Sequence, residues 1–317
     1  MTLSDWQPTA SLEALRLRAS LYQKIRHFFQ QRNVLEVETP LLGQAASTDL
    51  HLASLAVEAD NKFLQTSPEF AMKRLLAAGS GAIYQICKAF RSGESGSRHN
   101  PEFTMLEWYR PGFDHFDLMD EVAELIGQLL GERAVKKLSY RNAFNDVLGV
   151  DPHSCSEPVL AQLALQQTGY IAANDESRDT LLDLLMSQVI EPTLGRGELT
   201  FIYDYPASQC ALAKLSIDAQ GMQVAERFEL YVEGVELGNG YFELTDGAEQ
   251  QRRFDSDLQQ RADNNRPAVP IDQRLVAALN HGLPDCAGVA LGLDRLLMLM
   301  AKATSIREVI AFPADIA

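Results

Sequence analysis

The chain of 317 residues is 46% hydrophobic and 22% charged, a composition typical of a soluble globular protein. Its formal net charge of −15 argues against nucleic acid as a partner, because phosphate-binding surfaces are normally basic. The C-terminal apolar run 287–301 is too short to cross a membrane, and no secretory signal opens the chain. Four widely spaced cysteines, without a metal-binding spacing, predict reduced thiols and a cytoplasmic location.

The first third of the chain predicts a helix, an extended segment and a β-hairpin. Apolar residues recur at helical spacing over 11–32, and a β-branched extended run over 34–40 follows and is closed by a proline. A short strand is predicted over 62–66. Strands over 83–90 and 102–110, joined by a polar loop rich in glycine and serine, predict a hairpin.

The rest of the chain predicts further helices and strands around one weakly patterned stretch. Helices are predicted over 117–130, 178–190, 248–263, 271–281 and 293–302, and strands over 200–205, 226–233 and 235–245. The stretch 131–200 is predicted to be an insertion. Hairpin-connected strands flanked by helices indicate an α+β fold with an antiparallel sheet. Neither a Rossmann nor a P-loop motif occurs in the sequence, so nucleotide binding of those types is not predicted.

The predicted hairpin carries the most informative side chains. On the strand 102–110, Phe103, Glu107 and Tyr109 have the same parity and therefore share one face. Arg91 closes the preceding strand, where its guanidinium suits a phosphate, and Phe103 offers adenine an apolar platform. An ordinary amphipathic hairpin explains the same pattern.

A second informative segment, 226–245, is rich in acids. Its five carboxylates are Glu226, Glu229, Glu233, Glu236 and Glu243. Acids gathered on one face of a sheet repel each other unless divalent cations or cationic substrates neutralise them; the alternative is a solvated polar face. Glu236 and Glu243 have opposite parity, so both reach one site only if Gly238–Asn239–Gly240 forms a bulge or kink.

A third segment, 284–300, suits an anion. Gly288 and Gly292 permit close approach of the backbone, and Arg295 begins an apolar helix just behind them. An arginine near a helix N-terminus suits the far phosphate of ATP. Ordinary packing also explains the two glycines.

A fourth segment, 66–69, suits an amine. Glu69 lies at the end of the short predicted strand and is able to pair with an ammonium group. The same residues also predict a helix start, with Ser67 as N-cap, Pro68 at the first position and Glu69 in the first turn. The two interpretations are compatible with each other.

In this order the segments resemble the three signature motifs of class II aminoacyl-tRNA synthetases, in the lysyl-type version. Motif 1 corresponds to RHFFQQRNVLEVETP, motif 2 to Arg91–Tyr109 with HNPEFTMLEWY, and motif 3 to Gly288–Arg295; the segment ELGNGYFEL is also lysyl-type. The helix of motif 1 begins near residue 11, so an anticodon-reading domain is not expected. The chain therefore resembles the elongation factor P–(R)-β-lysine ligase family, and 1–317 is expected to form a single catalytic domain.

The resemblance implies that ATP, with Mg²⁺, activates (R)-β-lysine or lysine for ligation to the ε-amino group of a lysine on elongation factor P. It also implies a homodimer built through motif 1, and tRNA is not expected as the acceptor. Ala290, which stands where full-length lysyl synthetases have glycine, is expected to reshape the amino-acid pocket. The alternatives are a freestanding tRNA aminoacylase, a non-catalytic lysine-binding paralogue and an amide ligase of the asparagine-synthetase type.

The family's functional residues carry over onto matching positions. Arg91 and Arg295 are implied to be catalytic, because they bind the α- and γ-phosphates of ATP. The implied ATP-binding set is Arg91, Ser92, Gly93, His99, Asn100, Phe103, Glu236, Leu237, Gly292 and Arg295. The implied amino-acid pocket consists of Ser67, Pro68, Glu69, Tyr109 and Glu243, and the implied Mg²⁺ ligands are Glu229 and Glu236. The family has an acid two places after the motif 2 arginine; here Gly93 stands there and Glu94 follows, so either the loop shifts or that contact is lost.

Overall fold

The computed structural model describes residues 6–173 and 176–317. Its strands, β1 to β12 in chain order, are Leu35–Glu36, Leu42–Gly43, Ala56–Val57, Lys62–Leu64, Ile83–Phe90, Glu102–Pro111, Ala134–Ser139, Glu198–Pro206, Leu215–Ile217, Gln223–Val232, Val235–Phe242 and Cys286–Gly292. Its α-helices, α1 to α9, are Leu12–Gln31, Glu69–Ala77, His115–Leu130, Tyr140–Leu148, Glu157–Thr168, Arg178–Leu185, Gly247–Asp263, Gln273–Gly282 and Leu293–Ala301. The chain divides into two compact units, one formed by residues up to Phe113 together with Leu244–Ala317, the other by Asp114–Glu243.

The first unit is built on four strands in the order β1-β5-β6-β12. It also contains a separate small sheet in the order β2-β4-β3. β1 pairs with β5 in parallel, whereas β5 with β6 and β6 with β12 are antiparallel. An aromatic cluster covers one face: Phe29 of α1 stacks on Tyr84 with ring centroids 4.3 Å apart and meets the fully buried Trp108 at 5.4 Å. Because neighbouring residues of a strand alternate between faces, the odd-numbered residues of β6 lie on the opposite face.

The second unit is built on four strands in the order β11-β10-β8-β7, and β9 also pairs with β10. β10 is antiparallel to β11 and to β8, whereas β7 and β8 are parallel. The helices α4, α5 and α6 contribute fully buried side chains to its core, among them Tyr140, Phe144, Leu160 and Leu182. The described residues of the stretch 131–200 are therefore a packed part of this unit, and they include β7 and the helices α4, α5 and α6.

The α+β class predicted from the sequence is confirmed, although two strand pairs are parallel and the pairing is mixed. The predicted helix over 178–190 is confirmed in its bounds, although only Arg178–Leu185 is α-helical and the wider turns of a π-helix follow over Met186–Ile190. The extended run 34–40 enters the ladder only at Leu35–Glu36. The prediction of a single catalytic domain over 1–317 stays a prediction.

His115, at the start of α3, gives a pH-dependent contribution to stability. It is 5% exposed, and within the described residues neither ring nitrogen has a hydrogen-bond partner, so burial lowers its pKa from 6.5 to about 4. At pH values between these two pKa values, His115 binds a proton in the unfolded chain but not in the folded chain. The free energy of unfolding is therefore expected to fall by about 3 kcal/mol as the pH drops from 7 to 4. Urea unfolding at pH 7, 5.5 and 4 measures this, and a His115→Leu variant with the same pH dependence as wild type would contradict it.

Candidate active site

The face of β6 opposite the aromatic cluster carries a buried carboxylate–phenol pair. Tyr109 donates its hydroxyl proton to Oε1 of Glu107 at 2.7 Å, and both side chains are 2% exposed. The register of β6 with β12 puts Gly288 opposite Tyr109 and Ala290 opposite Glu107. Directly opposite residues of an antiparallel pair project to the same face, so β12 adds at most a methyl group beside the pair. The neighbouring strand therefore places only small residues directly opposite Glu107 and Tyr109.

Arg91 follows directly on the last residue of β5, and its guanidinium lies over the ring of Phe103, 5.1 Å from the centroid. Its Nε is buried and has no hydrogen-bond partner within the described residues. A buried donor without a partner is costly, and a phosphate oxygen is the kind of acceptor that removes that cost. Arg91 and Phe103, which the sequence predicts for phosphate and adenine, are therefore brought together.

The loop after Arg91 places Glu94 near the arginine. Gly93 adopts φ +80°, a left-handed conformation that favours glycine. Oε1 of Glu94 lies 3.8 Å from Nη1 of Arg91, and whether the loop shifts to bring this acid into the family position stays a prediction. The backbone N–H of Ser92 donates to the carbonyl of Ala53 at 2.8 Å, which fixes the loop's first residue.

Asn100, at the other end of this loop, uses its side chain to hold the backbone. Its Nδ2 donates to the carbonyl of Glu102 at 2.6 Å, and its Oδ1 accepts from the N–H of Ala314 at 3.0 Å. The side chain is 7% exposed. A contact between Asn100 and ATP stays a prediction, whereas its part in shaping the loop is a direct observation.

His99 and Arg295 are in contact. Nη2 of Arg295 lies 2.5 Å from Nε2 of His99, and a guanidinium can only donate, so this ring nitrogen accepts. Burial and the adjacent Arg295 charge lower the pKa of His99, which keeps the ring neutral. Gly292 is the N-cap of α9, so the helix begins beside this arginine. The positive end of a helix and a held guanidinium together suit a phosphate.

Glu69 begins α2 and already contacts an ammonium group. Its Oε1 lies 2.7 Å from Nζ of Lys73, one turn along the helix, and the side chain of Lys73 is 1% exposed. The prediction of Ser67 as N-cap is wrong, because Pro68, with φ −79° and ψ 0°, is the cap. Ser67 still accepts from the N–H of Glu69 through Oγ at 3.3 Å. Lys73 is a residue that the sequence analysis missed, and a buried lysine inside an apolar helix gave no separate signal.

The Glu69→Gln variant is expected to raise the KM for the amino acid about 10- to 100-fold, because a charge-assisted hydrogen bond to an ammonium becomes a neutral one. The KM for ATP is expected to stay within about twofold, since the phosphate-binding arginines are unchanged. Glu102→Gln is the matched control, because Glu102 forms an exposed pair with Lys88 at 3.3 Å. Equal changes in both KM values would contradict the assignment of Glu69 to the amino acid.

In the second unit Glu229 is held by three donors. Arg227 donates from Nη2 to Oε1 at 2.5 Å, Tyr205 donates to Oε2 at 2.7 Å, and Tyr231 also donates to Oε2. Among the described residues no group of three or more histidine, cysteine or acidic side chains is arranged to hold a metal ion. Mg²⁺ that also binds phosphate needs only one or two carboxylates, so Glu236 and Glu229 suit it in kind. Their role as ligands stays a prediction, and at Glu229 a cation would replace existing donors.

The bulge that the parity of the acids requires is present in β11. Tyr231 pairs with Glu236 while the preceding residue of β10 pairs with Gly238, so Leu237 is the extra residue. Because opposite residues share a face, the bulge puts Glu236 on the same face as the residues of β11 that share parity with Glu243. It lies one position before the three-residue segment predicted to contain it. Glu243 itself is 1% exposed.

Asp294 is a second residue that the sequence analysis left without a role. It is 2% exposed and accepts from Nη2 of Arg18 at 2.5 Å and from the N–H of Thr104 at 2.6 Å. These bonds tie α9 to α1 and to β6, immediately before Arg295 and beside Phe103. The sequence itself offered a signal for this role, because a lone carboxylate in an apolar helix is buried only when it has partners.

The sequence matches the family model of tRNA synthetases class II (D, K and N) over residues 3–316. The chain belongs to this class II synthetase family. The resemblance drawn from the three motifs is thereby confirmed. None of the helices in the described part of the chain is long and apolar enough to span a membrane.

Individual relatives match the chain over nearly their whole length. The chain is 52% identical over 322 residues to the elongation factor P–(R)-β-lysine ligase of Pseudoalteromonas translucida, and covers 98% of each sequence. It is 49% identical to the proteins of the same name from Hamiltonella defensa and Edwardsiella ictaluri, again with 98% of each relative covered. The similarity therefore extends through the second unit as well as through the motifs.

Proposed function

We propose that the chain uses ATP to activate (R)-β-lysine and joins it to the ε-amino group of a lysine on elongation factor P. The observation that carries this proposal is 52% identity over 98% of both sequences to a protein of that name. The geometry agrees with it, because a buried carboxylate–phenol pair suits an ammonium group and two held arginines suit phosphates.

In the first step a carboxylate oxygen of the amino acid attacks the α-phosphorus of ATP. The bond between that phosphorus and the oxygen bridging to the β-phosphate breaks, and pyrophosphate leaves with the electron pair. Arg91 is assigned to the α-phosphate, where its unpaired Nε and planar fork stabilise the developing charge. Arg295, oriented by His99, is assigned to the γ-phosphate. Mg²⁺, when bound, neutralises phosphate charge, and Glu229 and Glu236 are the residues that would hold it.

Recognition of the amino acid rests on its two ammonium groups. Glu69 offers a carboxylate whose present partner is the ammonium of Lys73, so the site is already arranged for that kind of ligand. Glu107 holds the phenol of Tyr109, which fixes a polar acceptor next to the small residues of β12. Buried donors and acceptors of this kind discriminate strongly against analogues that leave them unpaired.

In the second step the neutral ε-amine of the acceptor lysine attacks the carbonyl carbon of the adenylate. A carbon–nitrogen bond forms, the carbon–oxygen bond to phosphate breaks, and AMP leaves with the electron pair while the amine releases its proton to solvent. No covalent bond to the enzyme is needed, so the residues act by positioning and by neutralising charge.

Three further features belong to the proposal. A homodimer formed through the motif 1 segment is supported by the exposure of Leu35 at 57%. A cytoplasmic location suits a modification of a translation factor. The net charge of −15 favours a protein acceptor over tRNA.

Amino-acid-dependent exchange between ATP and labelled pyrophosphate tests the activation step. Exchange is expected with (R)-β-lysine, and more weakly with α-lysine. Exchange with aspartate alone would favour an amide ligase of the asparagine-synthetase type. No exchange with any amino acid would leave a lysine-binding paralogue without catalysis and would overturn the proposal.

A further inference from the structure

A cavity of about 180 Å³ lies within the second unit, against the face of β10 that carries Glu229. Three buried tyrosines line it, namely Tyr140, Tyr205 and Tyr231, with exposed fractions of 0 to 3%. Asp183 also lines it and is exposed, so the cavity reaches from solvent to the buried rings. The three tyrosines and Asp183 are outside the ATP-binding, amino-acid-binding and metal-binding sets predicted from the sequence, whereas Glu229 and Glu236 of the lining are the predicted Mg²⁺ ligands.

The charge of the lining selects a cation. Four carboxylates line the cavity, those of Asp183, Glu191, Glu229 and Glu236, against the single guanidinium of Arg227. Because the carboxylates outnumber the guanidinium, the field inside the cavity is negative. Low-dielectric walls strengthen that field inside a cleft.

The hydroxyl of Tyr140 points to a ligand. Within the described residues it has no hydrogen-bond partner, although the side chain is fully buried. Burial raises its pKa, and the charges of Asp183 and Glu229 raise it further, so the hydroxyl stays protonated beside two acids that line the same cavity. A buried hydroxyl oxygen without a donor is satisfied by a ligand that brings N–H groups.

The wall opposite the sheet is formed by an unusual turn. Met186 and Ser187 line the cavity from the π-helix that follows α6. Such wide turns cost hydrogen-bond geometry and occur often at functional sites. Here the wide turn brings a flexible thioether side chain next to the tyrosine rings, which suits an aliphatic stem.

We propose that this cavity binds a primary ammonium group on an aliphatic stem, and that the occupant is the acceptor lysine side chain of the protein substrate. The carboxylates and the Tyr140 oxygen receive the three N–H donors, while the rings and Met186 contact the methylenes. The free amino-acid substrate fits less well, since its own carboxylate is repelled by the acidic lining. The identity of the acceptor rests on the proposed function, whereas the binding of an alkylammonium group does not.

Binding of the probe Nα-acetyl-lysine methylamide, which has an ammonium group but no carboxylate, tests the site directly. Ligand-observed saturation-transfer NMR on the full chain without ATP is expected to show binding to wild type and about tenfold weaker binding to Asp183→Asn. Tyr140→Phe keeps the ring that stacks on Phe144 at 4.7 Å and is expected to weaken binding severalfold. The matched control Glu176→Gln removes a carboxylate that is bonded to Tyr170 outside the lining, and is expected to bind like wild type.

Steady-state transfer tests the identity of the occupant. Asp183→Asn is expected to raise the KM for elongation factor P about tenfold while pyrophosphate exchange stays at the wild-type rate. Wild-type probe binding in both variants would overturn the cavity assignment. Normal acceptor KM, or equal loss of exchange and transfer, would overturn the acceptor assignment. If no transfer occurs even with wild type, the proposed function fails, and the NMR result still decides whether the cavity binds an alkylammonium group.

Discussion

Replacing Arg91 by alanine is expected to lower the rate of (R)-β-lysine-dependent pyrophosphate exchange about 100- to 1,000-fold. The guanidinium lies over Phe103 and carries a buried Nε that no described residue satisfies, so it is arranged in advance for an anion. Removal of one prearranged donor to a developing charge typically has an effect of this size. The loss is expected in kcat, because the interaction strengthens as charge builds on the α-phosphate.

The controls for this prediction separate charge from geometry. Arg91→Lys keeps the charge without the planar fork and is expected to recover only a small part of the rate. Arg32→Ala removes another guanidinium that lies over a phenylalanine ring, 3.5 Å from the centroid of Phe28, and is expected to leave exchange unchanged. A rate for Arg91→Ala within tenfold of wild type, at an unchanged melting temperature, would contradict the assignment.

Replacing Asp294 by alanine is expected to lower the free energy of unfolding by about 3–5 kcal/mol. The carboxylate is 2% exposed and bonds to Arg18 and to the N–H of Thr104, so its loss leaves a mostly buried guanidinium without its acid. Breaking a buried pair from one side has a cost of this order. Because Arg295 is the next residue, exchange activity is expected to fall as well, even under conditions where the variant remains folded.

Urea unfolding measures the stability change, and exchange below the transition measures the effect on Arg295. Asp315→Ala is the matched control, since Asp315 pairs with Arg307 but is 61% exposed in its side chain. Exposed pairs contribute about 0–1 kcal/mol. A loss below about 1 kcal/mol for Asp294→Ala would show that these bonds do not hold the motif 3 helix in place.

The hairpin at the centre of the first unit was predictable from sequence. The predicted strands 83–90 and 102–110 match β5 and β6 within one residue, and Glu107 and Tyr109 share a face as their parity requires. In a strand with one apolar and one polar face, the alternation of residue types shows which side chains face the core. The α+β class followed from the same hairpin-rich order of elements.

Other features depend on contacts that alternation does not encode. The bulge at Leu237 was required by parity, yet its position is set by the register of β10 against β11. The pairing of Glu69 with Lys73 depends on burial at the start of α2, which the sequence alone does not show. The cavity beside Tyr140 depends on the packing of the weakly patterned stretch 131–200 on its sheet, so no motif pointed to it.

Transfer of labelled (R)-β-lysine to elongation factor P is the direct test of the proposed ligation. The purified chain, ATP and Mg²⁺ would be incubated with elongation factor P, with the same factor carrying arginine in place of its acceptor lysine, or with bulk tRNA. ATP-dependent label is expected on the unmodified factor, with none on the arginine variant and none on tRNA. Label on tRNA without label on the factor, or label on neither, would contradict the proposed ligation.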